Sequence, residues 1–259
     1  MLDSQVIQRG LKTVVLKPEL ILVDTVDSTN SIAKSLIGRG ASEGLVVVAE
    51  NQLSGRGRQN RLWHSPVGGL YMSVTLKPRL SPEKTPLFGL LSACAAAEAV
   101  REMSGLQVRL KWPNDIMLGE RKVGGILSEV VSVGERICGI VIGIGINQNT
   151  SPSRLPDEIR ESATTMLSEL GHETSREELA YRTINAIDRR VANVETLSSF
   201  SPVLDEWLKT NTTVGRQIRV HEGTNVIEGT AVGVTLLGSL RVKTATGEKE
   251  LPIGDVLHV

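Results

Sequence analysis

Glu50-Asn51-Gln52-Leu53-Ser54-Gly55-Arg56-Gly57-Arg58-Gln59-Asn60-Arg61-Leu62-Trp63 follows the apolar run Leu45-Val46-Val47-Val48-Ala49. The run reads as a buried strand, so a strand feeds directly into a loop of alternating glycine and arginine. Glycine lets the backbone approach a ligand and expose its N–H groups. Three arginines add planar, permanently charged donors, and Trp63 closes the segment with a large flat ring. Such a loop suits an anionic small molecule carrying a ring or a nucleotide. Taken alone it equally suits a solvated turn or a single-strand RNA contact, and the rest of the chain has to decide.

The 259 residues suit one large domain plus a small one. Hydrophobic residues make up 40%, enough for a sizeable core, and aromatics only 3%, so that core is aliphatic. Lys+Arg and Asp+Glu balance at 29 each, which argues against a dedicated non-specific nucleic-acid binder. Two cysteines, Cys94 and Cys138, cannot build a disulfide framework, and no Cys/His metal spacing occurs. Both are expected to be reduced, buried and structural. The N-terminus has neither a basic flank nor an apolar core typical of a signal peptide, and no apolar run reaches membrane-spanning length. A cytoplasmic protein with no membrane partner is the expectation.

Upstream of the loop, Leu20-Ile21-Leu22-Val23 reads as a strand. Ser28-Thr29-Asn30 then precedes a short helix marked by Ile32, Ala33, Leu36 and Ile37 and stopped by Gly38 and Gly40. One of the three polar residues serves as N-cap, and the surplus could bind a neutral polar ligand. Downstream, Leu70 to Leu76 alternates as a strand, and Leu87 to Met103 is an Ala-rich, central helix. Leu106 to Leu110 is a strand running into Lys111-Trp112-Pro113-Asn114-Asp115, polar groups at a strand end. Ile116-Met117-Leu118 and Gly119 to Lys122 form a hairpin into Val123 to Val130. The adjacent Gly124 and Gly125 there suggest close approach of a ligand or another backbone. A strand over Arg136 to Asn147 contains Gly143-Ile144-Gly145, which is no dinucleotide fingerprint because it lies within a strand and lacks a third glycine.

Residues 151–208 read as helical cover for the sheet, with one helix expected over Leu155 to Leu170. From Asn211 the helical spacing stops. Short strands with glycine turns follow: Ile218–Val220, a turn at Glu222-Gly223-Thr224-Asn225, Val226–Val234, Leu240–Val242, Leu251-Pro252-Ile253 and Val256–Val259. The fold class is therefore α+β, a mixed sheet packed with helices over residues 1–208, followed by a small SH3-like β-barrel over 209–259.

Ser28-Thr29-Asn30, Gln52 with Gly55-Arg56-Gly57-Arg58, Lys111-Trp112-Pro113-Asn114-Asp115 and Arg121-Lys122-Val123-Gly124-Gly125-Ile126 occur in this order. The set resembles the biotin protein ligases, over about Leu20 to Asn147 for the motifs and on to the C-terminus for the small β-module. The sequence departs from many members in having Gln59-Asn60-Arg61 where they continue Arg-Gly-Arg. About twenty residues precede the first strand, too few for a helix-turn-helix repressor domain, so the resemblance is to the monofunctional class and no DNA binding is expected.

The resemblance implies a class II synthetase-like catalytic domain that joins biotin to ATP as biotinoyl-5′-AMP. The acyl group then passes to one lysine of a biotin carboxyl carrier protein. Bringing a carboxylate against a triphosphate costs about 4 kcal/mol per like pair at ~4 Å and an effective dielectric of ~20. Arg56, Arg58, Lys111 and Lys122 would offset that beside Mg²⁺. Of these, Arg58, Lys111 and Lys122 are the implied catalytic residues. Ser28, Thr29, Asn30 and Gln52 would bind the biotin ring end, and Gly55, Arg56, Gly57 and Arg58 its carboxylate. Lys122 would face that carboxylate and the α-phosphate, with Gly124 and Gly125 allowing close packing. Arg58, Trp63, Lys111, Asn114 and Asn147 would bind ATP, with Trp63 stacking on adenine or, alternatively, filling the core. Asp115 would orient the metal. Arg61, His64 and Trp112 read as structural. A lipoate ligase or octanoyltransferase and a non-catalytic biotin sensor are the rival readings. Exposed sheet edges would permit a homodimer.

Overall fold

The β-branched runs of the N-terminal two thirds alternate in and out, so the sheet they build has two distinct faces. The computed structural model describes residues 2–78, 82–222, 225–252 and 254–258. Its seven-stranded sheet has the order β1-β2-β3-β7-β6-β5-β4. The strands are β1 (Glu19–Val26), β2 (Leu45–Gln52), β3 (Leu70–Leu76), β4 (Val108–Lys111), β5 (Asp115–Leu118), β6 (Arg121–Val133) and β7 (Arg136–Ile146). β1 and β2 are parallel and every other pair is antiparallel, giving the mixed sheet expected.

One face buries Val46, Val48, Met72, Val74, Ile142 and Ile144 beneath helices. These are α1 (Ser4–Gly10), α3 (Thr85–Ser104), α6 (Arg176–Leu197) and α7 (Ser201–Thr210), with α6 lying mainly on α3 and α1. Gly105 at φ 69° ends α3, and Ser175 caps α6 by accepting from the Glu178 amide. Among the helices of the described residues, the opposite face carries α2 (Thr29–Gly38), whose Ala33 and Ile37 pack on Leu45, Val47 and Val141. Beyond the end of α2 that face is uncovered, and the cavity described below lies there.

Two expectations change. The single helix over Leu155 to Leu170 is instead two short ones, α4 (Asp157–Arg160) and α5 (Met166–Leu170). Between them the chain runs extended, and the Lys122 amide donates to Ser162 O (2.8 Å) while Lys122 O accepts from the Thr164 amide (2.9 Å). Lys122 precedes the first β6 residue paired with β7, so its peptide groups need such partners, and the extended segment supplies them. Second, Cys94 is buried but Cys138 is only partly so. Helix α1 was not anticipated, although Asp3 accepts from the Gln5 amide as its N-cap.

A small antiparallel β domain follows, with β8 (Gln217–Glu222), β9 (Asn225–Val234), β10 (Leu240–Thr244), β11 (Gly247–Leu251) and β12 (Asp255–His258). The order is β11-β10-β9-β8-β12, and among the described residues β11 and β12 do not pair to close a barrel. The expected turn residues Gly223 and Thr224, and Ile253 and Val259, lie outside the described residues. Val220, Leu240, Val242 and Val256 join the main core, and the Trp112 indole N–H donates to Gly238 O at 3.0 Å. Among the described residues no helix is long and apolar enough to cross a membrane.

Candidate active site

Three glycines leave the α2 face of the sheet bare. A Cβ at Gly143 would meet Asn30 Cγ at 3.0 Å, and one at Gly145 would meet the Trp63 indole at 2.5 Å. Gly125, on β6 beside them, faces Lys122 and Trp63. Without side chains there, α2 and the Gly/Arg loop can stand off the sheet and enclose a cavity of about 450 Å³. That volume suits a small organic ligand.

One end of the cavity is neutral and polar. Ser28 occupies the N-cap position of α2 but makes no side-chain cap bond. The Thr29 amide donates to Gln52 Oε1 at 2.8 Å, and Gln52 Nε2 donates to Ser65 Oγ at 2.8 Å. Asn30 Nδ2 donates to Glu129 Oε2 at 2.7 Å. Ser28, Thr29 and Asn30 are all buried, which holds these groups in fixed orientations.

The other end is cationic. Lys122 Nζ lies 2.5 Å from Asp115 Oδ1 and 5.2 Å from the centre of the Trp63 ring. The Arg58 guanidinium lies 6.0 Å from the Trp112 ring centre, whereas Arg56 donates to Ser31 Oγ of α2 at 2.6 Å and so stands near the polar end. Burial pushes the Lys111 ammonium below the ordinary lysine value, against the pull of Asp115 and with the help of Lys122. Burial likewise lowers Arg58, opposed by Asp255 and Asp115. Asn114 Nδ2 donates to Ile126 O (2.6 Å) and Asn147 Nδ2 to Thr164 O (3.1 Å), so both amides are fixed at the wall.

The Gly/Arg loop closes on itself and on the C-terminal domain. The Gly57 amide donates to Arg61 O (2.7 Å) and the Trp63 amide to Gly55 O (2.8 Å). Gln59 and Asn60 both take left-handed conformations, at φ 52° and 59°. Arg58 Nη1 donates to Gly254 O at 3.1 Å, and Arg61 Nη2 lies 2.6 Å from Asp255 Oδ1.

All the site residues singled out in the sequence line this one cavity except Gly55 and Gly124. A Cβ at Gly55 would strike Ser65 Oγ at 2.6 Å, so that glycine serves packing inside the loop. A Cβ at Gly124 would meet Gly145 O at 2.9 Å and Ile116 at 3.3 Å. Gly124 therefore allows strand packing, not the close approach to ligand expected of it. Arg61, His64 and Trp112, read as structural from the sequence, also line the cavity, with Arg61 paired to Asp255 and Trp112 fully buried.

Sequence reasoning missed Gly143 and Gly145, Asp255 and Leu257 from the C-terminal domain, and Leu155, Ile159 and Ala163 from the broken helix. A two-residue period of glycine within a strand was the available signal: it empties one face of the sheet. Among the described residues no group of three or more His, Cys, Asp or Glu side chains is arranged to hold a metal.

This mixed sheet, with a polar-to-cationic cavity at the open end of α2, defines a ligase of the biotin and lipoate type. Residues 22–147 match the biotin/lipoate A/B protein ligase family, and residues 213–259 match the biotin protein ligase C-terminal domain. The bifunctional ligase/repressor BirA of Bacillus subtilis is 34% identical over 98% of this chain and 78% of its own length. The biotin–[acetyl-CoA-carboxylase] ligase of Paracoccus denitrificans is 31% identical over 89% of this chain and 96% of its own. A solved structure of the Aquifex aeolicus biotin protein ligase in complex with biotin and ATP superposes with a TM-score of 0.82 and 29% identity. The match covers 93% of this chain and 99% of that one. The chain belongs to the biotin protein ligase family.

Proposed function

We propose that this protein activates biotin with ATP and transfers it to a lysine of a biotin carboxyl carrier protein. In the first step the biotin carboxylate oxygen attacks the α-phosphorus of ATP, forming biotinoyl-5′-AMP and releasing pyrophosphate. In the second the lysine ε-amine attacks the acyl carbon, forming an amide, releasing AMP and losing one proton. The observation that carries this reading is the cavity itself, where the neutral groups of Ser28, Thr29, Asn30 and Gln52 share one lining with Arg56, Arg58, Arg61, Lys111 and Lys122. It matches a ligand with an uncharged polar ring, an apolar chain and a terminal carboxylate.

Ser28, Thr29, Asn30 and Gln52 hold the ureido ring in this reading. The Arg56 to Arg58 segment and Lys122 receive the carboxylate and offset its repulsion from the α-phosphate. Lys111, Asn114 and Asn147 hold the nucleotide, and Trp63 offers a ring face for adenine. Asp115 supplies one hard oxygen, which fits Mg²⁺ arriving with the triphosphate, since that ion keeps waters and phosphate oxygens as most of its ligands. When bound, the ion withdraws charge from the phosphates. Neither Cys94 nor Cys138 lines the cavity, so no cysteine thioester route is available there. A cytoplasmic location accompanies this proposal, because the carrier must be met before or during its enzyme's assembly.

Biotin-dependent exchange of pyrophosphate into ATP, followed by biotin incorporation into a purified carrier domain, tests both steps. Exchange with biotin and none with lipoate is expected. Exchange with lipoate alone, or with neither acid, would overturn the reading.

A further inference from the structure

Behind the polar end of the cavity, Glu129 and Ser73 extend the hydrogen-bond network of Thr29 and Asn30 without lining the cavity themselves. Glu129, on β6, accepts from Asn30 Nδ2 at 2.7 Å and from Lys34 Nζ at 2.7 Å. Asn30 Oδ1 in turn lies 2.6 Å from Ser73 Oγ, and Ser73 Oγ lies 2.7 Å from Thr29 Oγ1. Ser73 is completely buried, and Glu129 and Ser73 stand outside the cavity lining, whereas Asn30 and Thr29 are part of it. The glycine at 143 gives Asn30 the room to sit in this chain.

Proton counting fixes the direction of every link. Burial works to raise the Glu129 carboxyl, but the bonds from Lys34 and Asn30 outweigh it and hold it below the usual carboxylate range. An ionised carboxylate only accepts, so Asn30 must turn its amide NH₂ toward it and its Oδ1 toward Ser73. Amide oxygen has no proton, so Ser73 spends its single hydroxyl proton there. At the 2.7 Å contact Thr29 must then be the donor. Gln52 Oε1, the other acceptor near Thr29 Oγ1, also receives the Thr29 backbone N–H at 2.8 Å and lies farther from the hydroxyl, at 3.2 Å against 2.7 Å for Ser73. The Thr29 hydroxyl proton is thus directed away from the cavity, and its lone pairs remain for a ligand N–H.

We propose that Glu129 is a positioning residue for ring recognition: through Asn30 and Ser73 it orients the Thr29 hydroxyl as an acceptor for a ligand N–H donor. This rests on the biotin reading, because a ureido ring carries two N–H donors and a dithiolane ring none. It makes Glu129, which touches no substrate, a determinant of which cyclic acid is selected. Replacing Glu129 with Gln keeps size and shape but supplies both donor and acceptor, so Asn30 can turn over and Thr29 can lose its fixed polarity.

The test is biotin-dependent pyrophosphate exchange and calorimetric biotin binding with Glu129→Gln, Ser73→Ala, the double variant and Lys34→Met. Loss of one ordinary hydrogen bond corresponds to a change of up to about tenfold. Glu129→Gln and Ser73→Ala are each expected to raise the KM and Kd for biotin by roughly three- to tenfold. The KM for ATP and kcat should stay within about twofold, as one bond to the ring is being altered and not the reacting centre. The double variant should be no worse than the poorer single one, since both cut the same relay. Lys34→Met, which removes one of the two bonds holding the carboxylate ionised, should raise the biotin KM in the same direction. Additive single effects, or unchanged biotin affinity in any of the single variants, would overturn the proposal. If Glu129→Gln does not fold, Ser73→Ala alone decides by the same split between biotin and ATP. A wild-type protein without biotin-dependent exchange would instead overturn the ligase reading itself.

Discussion

Arg61 Nη2 and Asp255 Oδ1 lie 2.6 Å apart, although 194 residues separate them in the chain. The pair ties the Gly/Arg loop to the first residue of β12, and Arg58 adds a second tie to Gly254 O at 3.1 Å. The C-terminal domain thereby forms one wall of the cavity and holds the loop that would meet the reacting carboxylate.

Arg61 is 59% exposed, so the pair contributes only about 0.5–1 kcal/mol to holding the loop. Asp255→Asn should accordingly speed tryptic cleavage after Arg56, Arg58 or Arg61 by roughly two- to fivefold, with little change in melting temperature. Biotin should slow cleavage in both proteins, because a ligand under the loop adds contacts to its closed form. Equal cleavage rates with and without biotin would contradict a loop that closes over the ligand.

Arg58→Gly removes a partly buried cation that lines the cavity. A charge-assisted bond is worth about 1.5–3 kcal/mol, so the adenylate should dissociate roughly tenfold faster or more. Rapid dilution of the enzyme–adenylate complex measures this directly, and an unchanged rate would remove Arg58 from the site.

The adjacent glycines of β6 should separate stability from activity. In Gly124→Ala the new methyl meets the Gly145 carbonyl oxygen at 2.9 Å, a backbone atom that cannot yield cheaply. A loss of about 1–3 kcal/mol in urea unfolding is expected. In Gly125→Ala the nearest atoms are Lys122 Cε at 3.3 Å and Nζ at 3.4 Å, the mobile end of a side chain. That variant should fold normally and lose activity by displacing Lys122. The reverse pattern would contradict the assignment of the two faces.

This pair also shows where sequence reading stops. Two adjacent glycines in a strand announced a close approach, but alternation sends neighbouring residues to opposite faces, so only Gly125 could serve the cavity. The strand runs, the central helix and the β-rich C-terminal region were legible because each repeats a pattern over many residues. Ser28, Gln52 and Lys122 were legible because they sit in dense polar stretches at strand or helix ends. Asp255 was not, since nothing local distinguishes an aspartate at a strand start from any solvated one. The break at Ser162 to Thr164 was hidden for a related reason. Helical spacing of Leu155, Ile159 and Leu170 looks sound until the Lys122 backbone, forty residues away, claims the intervening peptides.

As the cation proposed to hold the nucleotide, Lys111 should set a pH dependence. Burial, only partly opposed by Asp115, lowers its pKa, so it loses its proton at a lower pH than an ordinary lysine. The charged form is the one the fold disfavours, so stability from this site is gained as pH rises through the depressed value, while the cation proposed to hold the nucleotide is lost. The kcat/KM for ATP should therefore fall on the alkaline side below the ordinary lysine range. In Lys111→Arg, whatever its absolute activity, that fall should move to higher pH. Superimposable alkaline limbs would assign the fall to another group.

The most direct measurement is a crystal structure with biotin and a non-hydrolysable ATP analogue. The account predicts the ureido ring against Ser28, Thr29 and Gln52, with the carboxylate beside Arg58 and Lys122 on the glycine floor. Biotin bound outside that cavity, or with its ring at the cationic end, would contradict it.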